Sequence, residues 1–350
     1  MKNVEKILIV SMNGFSNAGG VEKVSYYLNE LLSQKYETKV VTKTKLNFGK
    51  VNNLLQPILI SLKLKFFKYA KKSLIIANSW HCFLFPADIS VHHGTSAGIM
   101  LKTGEVNTSL KITAWMEKVS AKKAKRILAV SENCKKELIE YYGIEENKIT
   151  VINNFVQDDV FTPEGDYDKN DKKGIINVCF SGALISKKGM EKLNEFSKYI
   201  EENNFKIPLH LNIATNYERN AEDFKNRKNT TIRTGLTSTQ MPDFYRENDV
   251  MFFPTKYEGF SMAVLEALSS GLCLTGTDFA VTPEVIKYDF CHHIEHDTPV
   301  SEIAEAIIKL AEKYRGRKKE IHEIIKNDFG TEQYKKKIFD FVEERINSRK

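Results

Sequence analysis

The chain has 350 residues, enough for two cores of about 150 residues each, and its 42% hydrophobic and 28% charged content is that of a water-soluble folding chain. Its apolar runs are too short for a membrane span or a signal peptide, and five scattered cysteines without a CxxC exclude a disulfide framework and a zinc ribbon, so the cytosol is expected. Of the net charge of +7, residues 1–158 carry +10 and the remainder −3, and from Lys43 to Arg126 there are 15 basic residues against Asp88, Glu105 and Glu117; this suits an anionic partner, or reflects lysine-rich composition alone.

From the N-terminus, Lys6 to Ser11 reads as a buried strand, and a glycine-bearing loop leads to a helix with Val21, Val24, Leu28, Leu31 and Leu32 at helical spacing. Short strands follow at Lys39 to Thr42, Leu74 to Ala77, Ile89 to His92, Ile127 to Val130 and Ile149 to Ile152, with a lysine-studded helix over residues 54–72. Ser131 is placed to cap a helix from Glu132 to Tyr142 that Gly143 ends. Strands alternating with helices in this way predict a doubly wound parallel α/β domain.

The polar, Pro- and Gly-containing stretch from Phe161 to Gly174 reads as a linker. A second alternation follows, with strands at Ile175 to Phe180, Leu209 to Ala214, Thr230 to Arg233, Val250 to Phe253 and Leu272 to Thr275. Helices are expected near residues 190–202, 239–247, 261–270 and 301–314. Ligands of such sheets bind beyond the carboxyl ends of the strands.

The segment from Val250 to Gly271 reads as strand, loop and helix, with Glu258 and Gly259 in the loop and the amides of Phe260, Ser261 and Met262 in the expected first turn. Unpaired first-turn donors and the helix dipole suit a phosphate. Glu266 lies on a helix that is apolar almost all round, so its carboxylate is expected to be buried and to need donors, either ribose hydroxyls or a structural Lys or Arg.

Five stretches stand in order: GGVEK (Gly19 to Lys23), ILAVSE (Ile127 to Glu132), ITVINNFVQDDVF (Ile149 to Phe161), FSGALISKKG (Phe180 to Gly189) and EGFSMAVLEA (Glu258 to Ala267). Together they resemble the retaining nucleotide-sugar glycosyltransferases of family 4, with their Glu-x7-Glu motif. The resemblance implies the α/β GT-B architecture, two Rossmann-like doubly wound parallel-sheet domains facing across a cleft. It implies an acceptor domain over 1–160, a linker over 161–174, a nucleotide-sugar donor domain over 175–332 and a helix at 333–350 packing back on the first domain. Glu258 would contact the donor sugar and Glu266 the ribose. Gly19 and Gly20 would face the diphosphate, as would the loop holding Gly182, Lys187 and Lys188, and His93 would line the acceptor side.

One departure stands out: the family's arginine five residues before the loop lysine is replaced here by Ala183. The implied reaction moves a hexose with retention, without metal or cofactor, from a nucleotide-diphosphate sugar, a UDP-sugar by expectation. The acceptor would be a glycan or lipid-linked glycan of bacterial cell-surface polysaccharide or lipopolysaccharide synthesis. Alternatives are a non-hydrolysing nucleotide-sugar epimerase and an inactive sugar-nucleotide-binding homologue.

Other patterns carry less. Asp166-Tyr-Asp168 lies in the polar linker rather than at a strand end, and Cys291-His292-His293 with His296 lacks a second ligand pair at zinc spacing. The glycines near residue 14 do not form GxGxxG, which argues against NAD. His92 is expected to be structural. Lysines mixed with aromatic and aliphatic residues over 56–72 and 111–126 suggest interfacial helices on the inner face of an anionic membrane, and no nucleic-acid fold signature accompanies them.

Overall fold

The structure, a computed structural model, describes residues 6–15, 20–46, 49–66, 72–164, 174–216, 220–280 and 282–349. The chain divides into two compact units, Met1–Asn154 with Tyr334–Lys350, and Phe155–Gln333.

In the first unit, strands β1 (Lys6–Val10), β2 (Glu37–Val41), β3 (Leu74–Asn78), β4 (Ile89–His92), β5 (Arg126–Ala129) and β6 (Ile149–Val151) form a parallel sheet in the order β2-β1-β3-β4-β5-β6. β1 and β3 are near-continuous apolar runs because helices cover both faces of a parallel sheet. Those helices are α1 (Gly20–Ser33), α2 (Asn52–Phe66), α3 (Ser96–Thr103), α4 (Thr108–Lys123) and α5 (Glu132–Tyr142). As expected, Ser131 Oγ caps α5 by accepting from the Cys134 amide at 3.1 Å, and Gly143 ends it in the left-handed conformation, φ 64°.

The second unit repeats the plan with β7 (Ile176–Ser181), β8 (Leu209–Thr215), β9 (Thr230–Thr234), β10 (Val250–Phe253), β11 (Cys273–Gly276) and β12 (Cys291–His293), ordered β12-β11-β10-β7-β8-β9. Its helices are α6 (Met190–Glu202), α7 (Glu222–Lys225), α8 (Met241–Arg246), α9 (Met262–Ser269), α10 (Val300–Lys313) and α11 (Lys318–Phe329). The last helix, α12 (Thr331–Asn347), belongs mostly to the first unit. It docks there through Arg126 to Glu344 at 2.7 Å, Arg345 to Asp88 at 2.8 Å and the Arg126 guanidinium over the Phe341 ring.

The structure differs from the sequence reading in the domain boundary and in several elements. The units part between Asn154 and Phe155, ahead of the expected linker, because residues 155–162 pack on the second unit. There the Phe161 carbonyl accepts from Ser269 Oγ at 2.7 Å and the Thr162 carbonyl from Arg246 Nε at 2.8 Å. Helices α3, α7 and α11 and the edge strand β12 were not expected: α3, α7 and β12 are short, whereas α11 buries Ile321, Ile325 and Phe329 at helical spacing that the sequence reading passed over; among the described residues β12 pairs with β11 alone. Helix α2 is described only to Phe66, so Lys68, Tyr69 and Lys71 lie outside the described residues, as do Gly19, Asp166 and Asp168.

Chain order reverses between β1 and β3 in one sheet and between β7 and β10 in the other. At each reversal the connections leave toward opposite faces, which opens a crevice at the carboxyl ends of the two strands.

Candidate functional site

At the β7–β10 reversal two loops meet. The first follows β7 through Gly182 and Ala183 to a short turn, Ser186–Lys188, and the second follows β10 from Pro254 to Gly259. Lys188 Nζ forms an ion pair with Glu258 Oε2 and lies 5.4 Å from the centre of the Phe253 ring. The Lys187 ammonium lies over the Tyr257 ring at 5.5 Å, and its carbonyl accepts from the Lys256 amide at 2.9 Å. Lys256 Nζ donates to Ser186 Oγ at 2.8 Å and pairs with Glu191 at 3.2 Å. The loop cations are therefore Lys187, Lys188 and Lys256, the last of which the sequence reading passed over because it belongs to the other loop.

Gly189 closes the turn with φ 78°, and a Cβ there would run into the Pro254 carbonyl. Only glycine combines that conformation with so close an approach of the two loops. Gly182 follows β7 directly, and its amide donates to the Ala214 carbonyl at 3.0 Å.

Helix α9 begins at Met262, two residues later than Phe260 in the expected first turn. Ser261 is its N-cap, and its Oγ accepts from the Val264 amide at 3.4 Å. Phe260 precedes the helix with its ring 5.6 Å from that of Phe329. Among the described residues the first-turn amides left for a ligand are those of Met262 and Ala263.

Glu266 is buried, 7% exposed, on α9 as expected. Its Oε2 accepts from the hydroxyl of Tyr245, 3.4 Å away on α8. Burial, and next the Glu266 charge, raise Tyr245 well above its ordinary pKa, so the hydroxyl keeps its proton; it also bonds with Ser181 at the end of β7. Tyr245 thus ties Glu266 to β7, the strand that leads into the loop holding Lys187 and Lys188. Nothing in its local sequence distinguishes it from a core aromatic.

In the first unit the β1–β3 reversal holds three histidines. His81 Nδ1 accepts from the Met12 amide at 3.1 Å. His92 is fully buried, with Ser79 Oγ 3.3 Å from Nδ1 and Ser90 Oγ 3.0 Å from Nε2, which is the structural role expected of it. His93 is partly exposed and its Nε2 lies 3.3 Å from Asn78 Oδ1. Burial lowers all three, to about 4 for His81 and His93 and about 3 for His92, so the rings are neutral at pH 7. Gly20 opens α1 with clear space where a Cβ would stand.

Of the Cys291, His292, His293 and His296 group, the structure places His293 beside Asp278 and Glu295, whose ligand atoms lie within 4.8 Å of one another. Asp278 and Glu295 are exposed, and His293 Nε2 is already spent on Asp278 Oδ1.

Comparison with known proteins follows the same division. The family described as Glycosyltransferase Family 4 matches residues 18–160, and that described as Glycosyl transferases group 1 matches residues 165–328. A relative from Escherichia coli, UDP-Gal:alpha-D-GlcNAc-diphosphoundecaprenol alpha-1,3-galactosyltransferase, is 24% identical over 57% of this chain and 54% of its own length. The chain spans about half the length of the curated relatives it matches first. Among solved structures, WaaG, a glycosyltransferase involved in lipopolysaccharide biosynthesis, superposes with a TM-score of 0.73 over 95% of this chain and 98% of that one at 13% identity. Anabaena HepE in complex with UDP-glucose gives 0.70 over 97% and 99%, also at 13% identity. The fold is GT-B, and with both halves matched in order the chain belongs to glycosyltransferase family 4.

Proposed function

We propose that the protein is a retaining, metal-independent glycosyltransferase that moves a hexose from a nucleotide-diphosphate sugar, expected to be a UDP-sugar, to a glycan or lipid-linked glycan in bacterial cell-surface polysaccharide or lipopolysaccharide synthesis. The observation that carries this is the convergence of Lys187, Lys188 and Lys256 with Glu258 at the β7–β10 reversal, in front of the first turn of α9.

In this reading the cations and the Met262 and Ala263 amides receive the diphosphate and stabilise the charge that grows on it as the sugar leaves. Lys188 and Lys256 take up the charge that an arginine at position 183 would otherwise meet. Glu266, held by Tyr245, accepts hydrogen bonds from the ribose hydroxyls. Glu258 addresses the transferred sugar. His93 serves the acceptor side. The acceptor oxygen attacks from the face that the diphosphate leaves, and a phosphate oxygen takes its proton.

Names of relatives support the substrate class: one acts with UDP-Gal on a diphosphoundecaprenol glycan, and one solved structure holds UDP-glucose. A membrane-borne acceptor also suits the first unit. Exposed Leu62 and Phe66 of α2 and Trp115 of α4 stand among Lys63, Lys65, Lys122 and Lys123. Leu84, also exposed, lies between the two helices, its amide on Ser61 Oγ at 3.2 Å and its carbonyl on Lys123 Nζ at 3.4 Å. Among the described residues no helix is long and apolar enough to cross a membrane; the attachment proposed is peripheral, from the inner face, through this patch.

The test is a thermal-shift screen of sugar nucleotides followed by transfer of labelled sugar to undecaprenyl-diphosphate glycans, with and without EDTA. Stabilisation by one UDP-sugar and EDTA-insensitive transfer with retained anomeric configuration are expected. A free epimerised sugar nucleotide without acceptor, or binding without turnover, would replace the proposal.

A further inference from the structure

His93 and Asn78 belong to a chain of hydrogen bonds whose polarity is set at its far end. The Val21 carbonyl can only accept, and Ser25 Oγ gives it its one proton at 2.9 Å. Ser25 Oγ is then an acceptor, and Asn78 Nδ2 donates to it. That orients the Asn78 amide with Oδ1 toward His93 Nε2, 3.3 Å away. A carbonyl oxygen accepts only, so Nε2 carries the proton, and in a neutral ring Nδ1 carries none.

The neighbouring histidines are committed elsewhere. His92 has a serine on each nitrogen, and His81 lies between the Met12 amide and the Val10 carbonyl. Among the described residues, Nδ1 of His93 has no protein partner, and His93 is the most exposed of the three.

We infer that Asn78 is a positioning residue that holds His93 as the Nε2–H tautomer and so presents Nδ1 as a hydrogen-bond acceptor to a substrate hydroxyl. The inference rests on the reading of His93 as an acceptor-side residue. It deepens that reading by saying which atom is used and in which protonation state. The titratable groups around the ring are His81, from the turn after β3, and His92, from β4, with Glu22 of α1 acting on His81. Burial, and next the His81 imidazole, oppose a second proton on His93.

The first test needs no variant of Asn78. In the full-length protein labelled with 15N in its imidazoles, two-bond 15N–1H spectra at pH 7.5 report which nitrogen of each ring is protonated, and loss of signals in His93→Gln assigns His93. The expected result is a protonated Nε2 and a bare Nδ1. An Nδ1–H tautomer overturns the inference whether or not the protein transfers sugar.

A second test separates positioning from mere packing. In Asn78→Asp the carboxylate still accepts from Nε2–H, so the tautomer persists, and the acid limb of the transfer rate moves at least about one pH unit upward because the new charge favours imidazolium. In Asn78→Leu the Nδ1–H tautomer gains population and kcat falls at least about tenfold with donor KM within about twofold. Variants that match wild type in both tautomer and pH profile overturn the inference. Absence of transfer by wild type, with the expected tautomer in the spectrum, counts against the proposed activity and not against the assignment of the ring.

Discussion

Lys188 and Glu258 are ion-paired across the carboxyl ends of β7 and β10, 70 positions apart in the chain. The cation assigned to the donor diphosphate therefore has its charge met by a carboxylate before a ligand arrives. A diphosphate must displace or share that carboxylate. Glu258→Gln is expected to bind UDP as tightly as wild type or more tightly while losing at least about a hundredfold in turnover. Lys188→Ala should lose roughly 1.5–3 kcal/mol of UDP affinity, about ten- to a hundredfold, and more than Lys187→Ala. Titration calorimetry with UDP checks both. If Glu258→Gln weakens binding as much as Lys188→Ala does, the two side chains do not compete.

Glu266 and Tyr245 give a second prediction. Removing the Tyr245 hydroxyl deletes one hydrogen bond to a buried carboxylate, a cost of about 1–3 kcal/mol. Tyr245→Phe should lower stability by that amount and weaken UDP binding, whereas Glu266→Ala should weaken UDP binding at least about tenfold. Equal affinity in a folded Glu266→Ala protein would remove Glu266 from the ribose.

Gly189 and Gly235 share a left-handed backbone, φ 78° and 70°, but differ in their surroundings. A Cβ at 235 meets nothing within 4 Å, whereas one at 189 meets the Pro254 carbonyl. Gly235→Ala should cost about 1–2 kcal/mol, the conformational penalty alone. Gly189→Ala adds overpacking of about 1–3 kcal/mol and should also push the loops apart, with loss of UDP binding. Urea unfolding of the two variants side by side measures the difference.

Stability should depend on pH through Glu117, which burial pushes up to about 7 from 4.5 while Tyr142 and Ser96 donate to it. Between pH 4.5 and 7 the folded chain keeps a proton that the unfolded chain releases. The stabilisation is full below pH 4.5 and is lost as pH rises through 7, an effect of about 3 kcal/mol. His81, His92 and His93 act oppositely: their contribution is present above pH 6.5 and is lost as pH falls toward 4. Three depressed histidines outweigh one raised carboxyl, so wild type should lose stability from pH 6.5 to 4.5. Glu117→Gln removes the opposing slope, and its stability relative to wild type should be about 3 kcal/mol more favourable at pH 8 than at pH 4.5. Denaturant curves at the two values decide; a constant difference would mean that Glu117 is ionised throughout.

The patch around Leu84 yields the last prediction. Flotation on anionic vesicles at low salt should carry the protein upward, and Lys63→Glu with Lys65→Glu, or Phe66→Ser with Trp115→Ser, should release it. Each cation near an anionic surface is worth about 1 kcal/mol and is screened within about 10 Å at 0.1 M salt, so wild type should also dissociate as salt rises. Wild type left in the soluble fraction would make the excess of twelve positive charges between Lys43 and Arg126 a matter of composition.

The alternation of strands and helices, the cap and stop of α5 at Ser131 and Gly143, and the burial of Glu266 follow from local spacing, and spacing is present in the sequence itself. So was the strand-loop-helix frame around Glu258. Which side chains meet across that frame was decided by strand order. Lys188 faces Glu258, and Lys256 reaches Ser186, because β10 inserts beside β7. Tyr245 looks like any core aromatic until α8 sets its hydroxyl against Glu266, and Asn78, the last residue of β3, carries no local signal of its role until Ser25 orients its amide toward His93. Periodicity reports which face of an element is buried. It carries no information about which distant element covers that face, and hydrogen bonds with fixed direction form only once that choice has been made.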